Sequence, residues 1–266
     1  MKIKGDGFLS ELGQKEAHQI VACNDRVFYS LECTISNLRS FASSREVHEQ
    51  DTEEGRQKII ALVLTVRILE IAEAALLIMK SGMSNEADTL FRVLLDAYFV
   101  FGNVCSDASF VTIYFKSDDV TRLTLINAVK NHKSELFKGI NEYASETMAD
   151  ELKKKIKDEE SQKFDSYAYA NKIDCSHIYH SMYRITCASL HTSPRSLGKY
   201  VDEDAMGNIQ LIKDHPDVGD IPQRAFDFAF FLIKVLSGLK EVFGCLDETE
   251  IQNMVANLNE VTKNEI

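Results

Sequence analysis

The 266-residue chain contains no tryptophan, three prolines and twelve glycines. So few breakers exclude the many tight turns of a sheet-rich fold and leave long helices as the main element. Paired cysteines are missing as well. Cys23, Cys33, Cys105, Cys175, Cys187 and Cys245 stand far apart with no CxxC, mostly within apolar runs. They read as free buried thiols of a reducing compartment. The opening Met1-Lys2-Ile3-Lys4-Gly5-Asp6-Gly7 lacks the apolar core of a secretory signal. Charge-free apolar spans are also absent: Arg67, Glu70 and Glu73 interrupt Ile59 to Met79, and Asp227 and Lys234 interrupt Ala225 to Val235. A membrane span of about 20 residues does not accept that many charges. The expected setting is the cytoplasm, with no membrane partner. Positive charge is scarce too, with 30 Lys and Arg against 41 Asp and Glu, a formal net charge of −11. That balance argues against general DNA binding, which depends on clustered cations, but not against a recessed site where two or three cations meet a phosphate.

What is present is helical periodicity. The chain is 45% hydrophobic, enough for a substantial core. Residues 1–7 read as a flexible start, and Phe8 to about Arg45 carries helical apolar spacing through Ile20, Val27, Leu31, Ile35 and Leu38. The charged stretch 45–56 reads as a connection. Gln57 to Lys80 is a strong helical pattern closed by Gly82, and the next holds Ala87, Leu90, Leu94 and Ala97 on its inner side. Further patterns run from Asp107 to about Lys133, where Ser117-Asp118-Asp119 is a candidate break, and from Ser134 to Glu160. The latter ends in a charge run read as a solvated helix end, with a basic contact patch as the alternative. Residues 199–216 resemble a short β-hairpin or extended loop around Met206-Gly207-Asn208. The most apolar pattern, Ile221 to about Phe243, reads as the bundle centre, and Asp247 to Lys263 as a last helix. The predicted architecture is all-α: a single multi-helix bundle over 1–266 with one short β insertion.

The stretch His177 to His191 is the most unusual. At about 100° per residue, His177, His180, Arg184, Ala188 and His191 fall within one arc of a helix that Pro194 stops. Ile178, Met182 and Ile185 lie opposite and would anchor it. Arg184 offers a planar fork of donors that fits phosphate oxygens, and the His191 imidazole is the type of group that moves protons at neutral pH. A structural role explains the same residues equally well: a buried Arg bonded to a carboxylate, and a His capping a helix end.

Arg184-x6-His191 resembles the Rx4–6H motif of the HEPN superfamily, helical bundles that include metal-independent ribonucleases of toxin–antitoxin and phage-defence systems. Those nucleases often carry Asn, Asp or His directly after the Arg, where this chain has Ile185. A wider resemblance joins the run from Ala87 to Tyr98 with Tyr183-Arg184-x4-Ser189-Leu190-His191-x-Ser193. This looks like an uncharacterised bacterial family of all-helical proteins with Arg-x3-Glu on an early helix and Tyr-Arg-x4-Ser-x2-His-x-Ser on a late one. Asp96 stands here where Glu is usual. The resemblance implies that these two helices pair, and it implies no activity.

Arg92 and Asp96 are spaced (i, i+4), and Arg67, Glu70 and Glu73 also fall at helical spacing in an apolar run. Buried ions are costly unless paired, which predicts one internal network of Arg67, Glu70, Arg92, Asp96, Arg184 and His191, supported by Tyr183, Ser189 and Ser193. Asp174, His177 and His180 lie on adjacent turns beside Cys175, yet the chain has neither a Glu-x2-His pair nor HExxH, so no metal is expected. No cofactor is expected either, since both glycine-rich phosphate loops and a nucleophile elbow are lacking. Two functions follow. One is a HEPN-like ribonuclease, a homodimer with Arg184 and His191 catalytic and RNA or an antitoxin protein as partner. The other is a non-enzymatic bundle that binds a partner protein or small ligand, its Arg/His/acid cluster purely structural.

Overall fold

The computed structural model describes residues 2–4, 7–132, 135, 139, 144–191, 194–216 and 219–263. It is all-α with a small β insertion. Helix α1 (Glu11–Cys23) breaks from α2 (Asp25–Ser43) at Asn24, whose side-chain amide donates to the Ile20 carbonyl at 2.8 Å. Helix α3 (Glu53–Lys80) begins earlier than its apolar pattern. Thr52 caps it by accepting from the Gly55 N–H at 2.9 Å, and Glu53 and Glu54 face the positive end of the helix dipole. At its far end Gly82 adopts φ +77°, its N–H donating to Met79 and that of Met83 to Ile78. That closure requires a residue at ease with positive φ, and a Cβ at Gly82 would also meet Pro216.

Helix α4 (Ser84–Ser106) follows at once and packs along α3. It is long and apolar enough to cross a membrane by length and composition alone. Here it is a core helix, with Phe91, Leu94, Leu95 and Phe99 fully buried. Helix α5 (Phe110–Asn131) runs unbroken through Ser117-Asp118-Asp119. The Ser117 hydroxyl bonds back to the Tyr114 carbonyl at 2.7 Å, and Lys155 answers Asp119 at 2.8 Å. Lys155 belongs to α6 (Glu146–Asp158), which packs against α5. Helices α7 (Ser166–Lys172) and α8 (Ser176–Ile178) lead into a π-helical turn, Tyr179–Tyr183, and then α9 (Arg184–Leu190). The short α10 (Pro194–Leu197) precedes the strands.

Strands β2 (Val201–Glu203) and β3 (Ile209–Lys213) form an antiparallel pair. Asp204 builds its turn by accepting from the Met206 and Asn208 N–H groups, both at 2.9 Å, while Gly207 takes φ +80°. Residues 1–7, expected to be flexible, supply a further strand. β1 (Lys2–Lys4) pairs parallel to β3, giving the order β1-β3-β2. A three-residue strand is too short to register in an alternation pattern, and its partner lies two hundred residues away. Helix α11 (Ile221–Val242) contacts α2, α3, α4 and α12 (Glu248–Lys263), which places the most apolar segment at the bundle centre. Phe91 meets Phe228 and Phe231 there edge-on, at 5.2 and 5.6 Å between centroids.

Candidate functional site

Helix α4 turns Asp88, Arg92 and Asp96 toward one side, at i, i+4 and i+8. Asp88, 7% exposed, accepts from Arg224 of α11 through Nε at 2.8 Å and Nη2 at 2.7 Å. Its second oxygen accepts from Lys199 Nζ at 2.9 Å and from the Ser189 hydroxyl at 3.2 Å. Arg224 also reaches Asp227 at 2.8 Å and lies 4.4 Å from the centre of the Phe91 ring. Burial pushes the Asp227 carboxyl above its usual range, with Arg224 opposing that shift. Asp88, Arg224 and Asp227 thus form a desolvated cluster beneath α9.

One turn along, Arg92 pairs with Asp96, donates to Cys187 Sγ at 3.3 Å and lies 3.7 Å from the centre of the Tyr183 ring. The Tyr183 hydroxyl donates to Asp96 at 3.0 Å, and the Ser166 hydroxyl to the same oxygen at 2.6 Å. Burial is the largest cause lifting the Tyr183 phenol to about 12, with Ser166 and Arg92 pulling the other way. A phenol raised above its ordinary value of 10.0 contributes stability that is complete below that value and is lost as pH rises through about 12. Tyr183→Phe is therefore expected to cost about 1–3 kcal/mol near neutral pH, from hydrogen bonds to a carboxylate network. The gap to wild type should close between pH 10.0 and about 12. Urea midpoints across that window check it; a gap that widens there would contradict the arrangement.

The His-rich stretch is organised differently from the expectation. The π turn at 179–183 inserts roughly one extra residue, which retards everything after it by about 100° relative to an uninterrupted α-helix. Tyr183 and Thr186 consequently turn inward, and Ile185, expected as an anchor, is 67% exposed. Tyr179 stacks on Tyr183 at 4.7 Å, and His180 sits 5.3 Å from Tyr167. His177, His180, Arg184 and His191 are all exposed, but the turn splits the single arc into an earlier His177/His180 pair and a later Arg184/His191 pair.

The predicted network of Arg67, Glu70, Arg92, Asp96, Arg184 and His191 is not assembled. Arg67 and Glu70 are exposed and pair only loosely with each other, at 3.7 Å, because α3 is apolar nearly all round and carries them on its solvent side. Of the two carboxylates expected to hold Arg184, Asp96 is paired with Arg92 and Glu70 with Arg67. The Arg184 guanidinium has no hydrogen bond or ion pair with any described residue, and neither does the His191 imidazole. Tyr183 and Ser189 do join the buried clusters, while Ser193 lies outside the described residues. Arg224, Asp227, Lys199 and Ser166 were missed. For Arg224 and Asp227 the signal existed: an (i, i+3) ion pair in the most apolar helix is the pattern that marked Arg92 and Asp96.

His191 leaves the helix in extended geometry, φ −107° and ψ 136°, and its carbonyl accepts from Ser196 Oγ at 3.0 Å. The residue borders a cavity of about 290 Å3 with Asn85, Ser189 and Tyr200. The buried Asn85 Oδ1 in that lining has no hydrogen-bond partner among the described residues. Among the described residues no three His, Cys, Asp or Glu side chains converge as a metal site, and Asp174, His177 and His180 are not gathered into one.

Residues 58–209 match the model of a family of unknown function (DUF5677), and the chain belongs to that family. The matched span takes in α4 and α9, hence Asp88, Arg92, Asp96, Arg184 and His191, and excludes α11 with Arg224 and Asp227. Neither curated proteins nor solved structures give a match.

Proposed function

We propose that this member of the family is a metal-independent endoribonuclease, working in the cytoplasm as a homodimer with Arg184 and His191 as its catalytic pair. One observation carries the reading. While Asp88, Arg92 and Asp96 of α4 are all paired, an exposed guanidinium and an exposed imidazole stand two turns apart without partners among the described residues. Groups held in a structural network would be buried and bonded; these are free to engage a ligand. The chemistry they suit is transesterification. His191 removes the proton of a ribose 2′-hydroxyl, whose oxygen attacks the adjacent phosphorus and expels the 5′-oxygen of the next nucleotide. Arg184 binds the non-bridging oxygens as their negative charge grows, and a second imidazole returns a proton to the leaving oxygen. The unpartnered Asn85 oxygen beside His191 is an acceptor suited to a ribose hydroxyl. A two-fold dimer would bring two arginines and two imidazoles to one cleft and offset the acidic surface locally. A toxin–antitoxin or phage-defence role, with an antitoxin protein as partner, fits such an activity.

The test is product chemistry. Single-stranded RNA incubated with the protein in excess EDTA should yield 2′,3′-cyclic phosphate and 5′-hydroxyl ends. Intact RNA at micromolar protein would overturn the proposal and leave the non-enzymatic bundle, its exposed face binding a protein or small ligand.

A further inference from the structure

A second cavity lies where the start of α3 crosses the first half of α5, closed by the end of α6; no residue of α8, α9 or α10 lines it. Its volume is about 560 Å3, within the range of about 300–1,000 Å3 usual for small-molecule sites. Ile59, Ile60 and Val111 supply apolar wall, and Phe115 joins them while 57% exposed. An aromatic ring left to water on a concave surface gains free energy when a flat apolar body covers it.

The charges are more specific. Asp119 is answered by Lys155 at 2.8 Å and Arg122 at 3.7 Å, and Glu159 by Lys116 at 3.7 Å. Arg56 is exposed on the cavity rim, and its guanidinium has no hydrogen bond or ion pair among the described residues. It sits in the first turn of α3, where the helix's own positive end disfavours a cation, so local structure gives no reason for its charge. The lining carries three cations, Arg56, Lys116 and Lys155, against two acids, Asp119 and Glu159, an excess of one positive charge on a chain of net charge −11.

We infer that this cavity is a binding site for a small amphipathic anion: a flat apolar body lying on Phe115, Ile59 and Val111, with one carboxylate, sulfonate or phosphate on Arg56. The planar guanidinium fork grips such a head group with two parallel hydrogen bonds. A polyanion gains little here, because the other two cations are already paired.

The probe is 8-anilinonaphthalene-1-sulfonate, titrated into the full-length chain and read by its fluorescence. Saturable one-site binding is expected. Arg56→Gln and Phe115→Ala should each weaken it about tenfold, the scale of one charge-assisted contact or one covered ring. Both positions are solvent-facing, so the variants should keep the wild-type circular dichroism and melting temperature. Arg67→Gln, an exposed cation outside the cavity, should bind as wild type. Non-saturating binding, or equal affinity in wild type, Arg56→Gln and Phe115→Ala, would overturn the assignment. None of these outcomes bears on Arg184 and His191.

Discussion

Arg224→Met is expected to lower the unfolding free energy by about 3–5 kcal/mol, the loss usual when one partner of a buried ion pair is removed. Methionine fills most of the volume over Phe91, so packing is largely kept and the loss reports charge. Asp88 retains Lys199 and Ser189, but among the described residues Asp227 retains only Gln223, at 3.0 Å. Asp227 is already pushed above the ordinary aspartate value by burial, and without its cation the shift grows. The sign of the pH dependence follows. A carboxyl whose folded pKa is raised contributes stability below its unfolded value, about 3.9, and loses it as pH rises through the folded value. The deficit of Arg224→Met should therefore be largest near neutrality and shrink on acidification. Replacing Asp227 as well, as in Arg224→Met/Asp227→Leu, should recover much of the loss, because no buried charge is then left unpaired. Urea denaturation at two pH values checks this. A loss under about 1 kcal/mol would mean that the cluster behaves like a surface salt bridge.

His191→Ala and Arg184→Ala are expected to do the opposite. Neither side chain has a partner among the described residues and both are exposed, so the melting temperature should stay within the change produced by about 0.5 kcal/mol. Cleavage should fall steeply. Loss of a general base costs about 10²–10⁴ in rate, and loss of one donor to a developing oxyanion about 10²–10³. His177→Ala and His180→Ala, on the far side of the π turn, should retain cleavage close to wild type. Initial rates on a single-stranded RNA, with protein matched by circular dichroism, check both statements. A fall in stability together with cleavage would place Arg184 and His191 in the scaffold.

Periodicity and breaker residues carried the fold a long way: scarce proline and glycine, the Gly82 closure, the hairpin around Met206-Gly207-Asn208 and the centrality of Ile221 to Phe243 were all legible. The start of α3 was hidden by its charged first turn, although Thr52 with Glu53 and Glu54 was a capping signal in plain view. Strand β1 was not legible, because three residues carry no period and a parallel partner in the distant hairpin leaves no local mark. The site was half legible. The (i, i+4) charges in an apolar run identified Arg92 and Asp96 correctly as a pair, with Tyr183 beside them. Arg67 and Glu70 obey the same spacing rule but sit on the outer side of α3, since helical spacing alone does not say which face is buried. The π turn was invisible. Its phase shift turns Ile185 outward and Thr186 inward. The Arg184 guanidinium has no partner among the described residues, since Asp96 is paired with Arg92 and Glu70 with Arg67.

The charged residues fall into a buried scaffold along α4 and an exposed pair proposed to act on RNA, and one experiment reads both halves. Wild type, Arg92→Met and His191→Ala are compared for thermal stability and for RNA cleavage in EDTA. The predicted result is a double dissociation. Arg92→Met melts several degrees lower and still cleaves at low temperature, whereas His191→Ala melts with wild type and loses at least about 100-fold in rate. Equal cleavage by wild type and His191→Ala, or none by either, would contradict it.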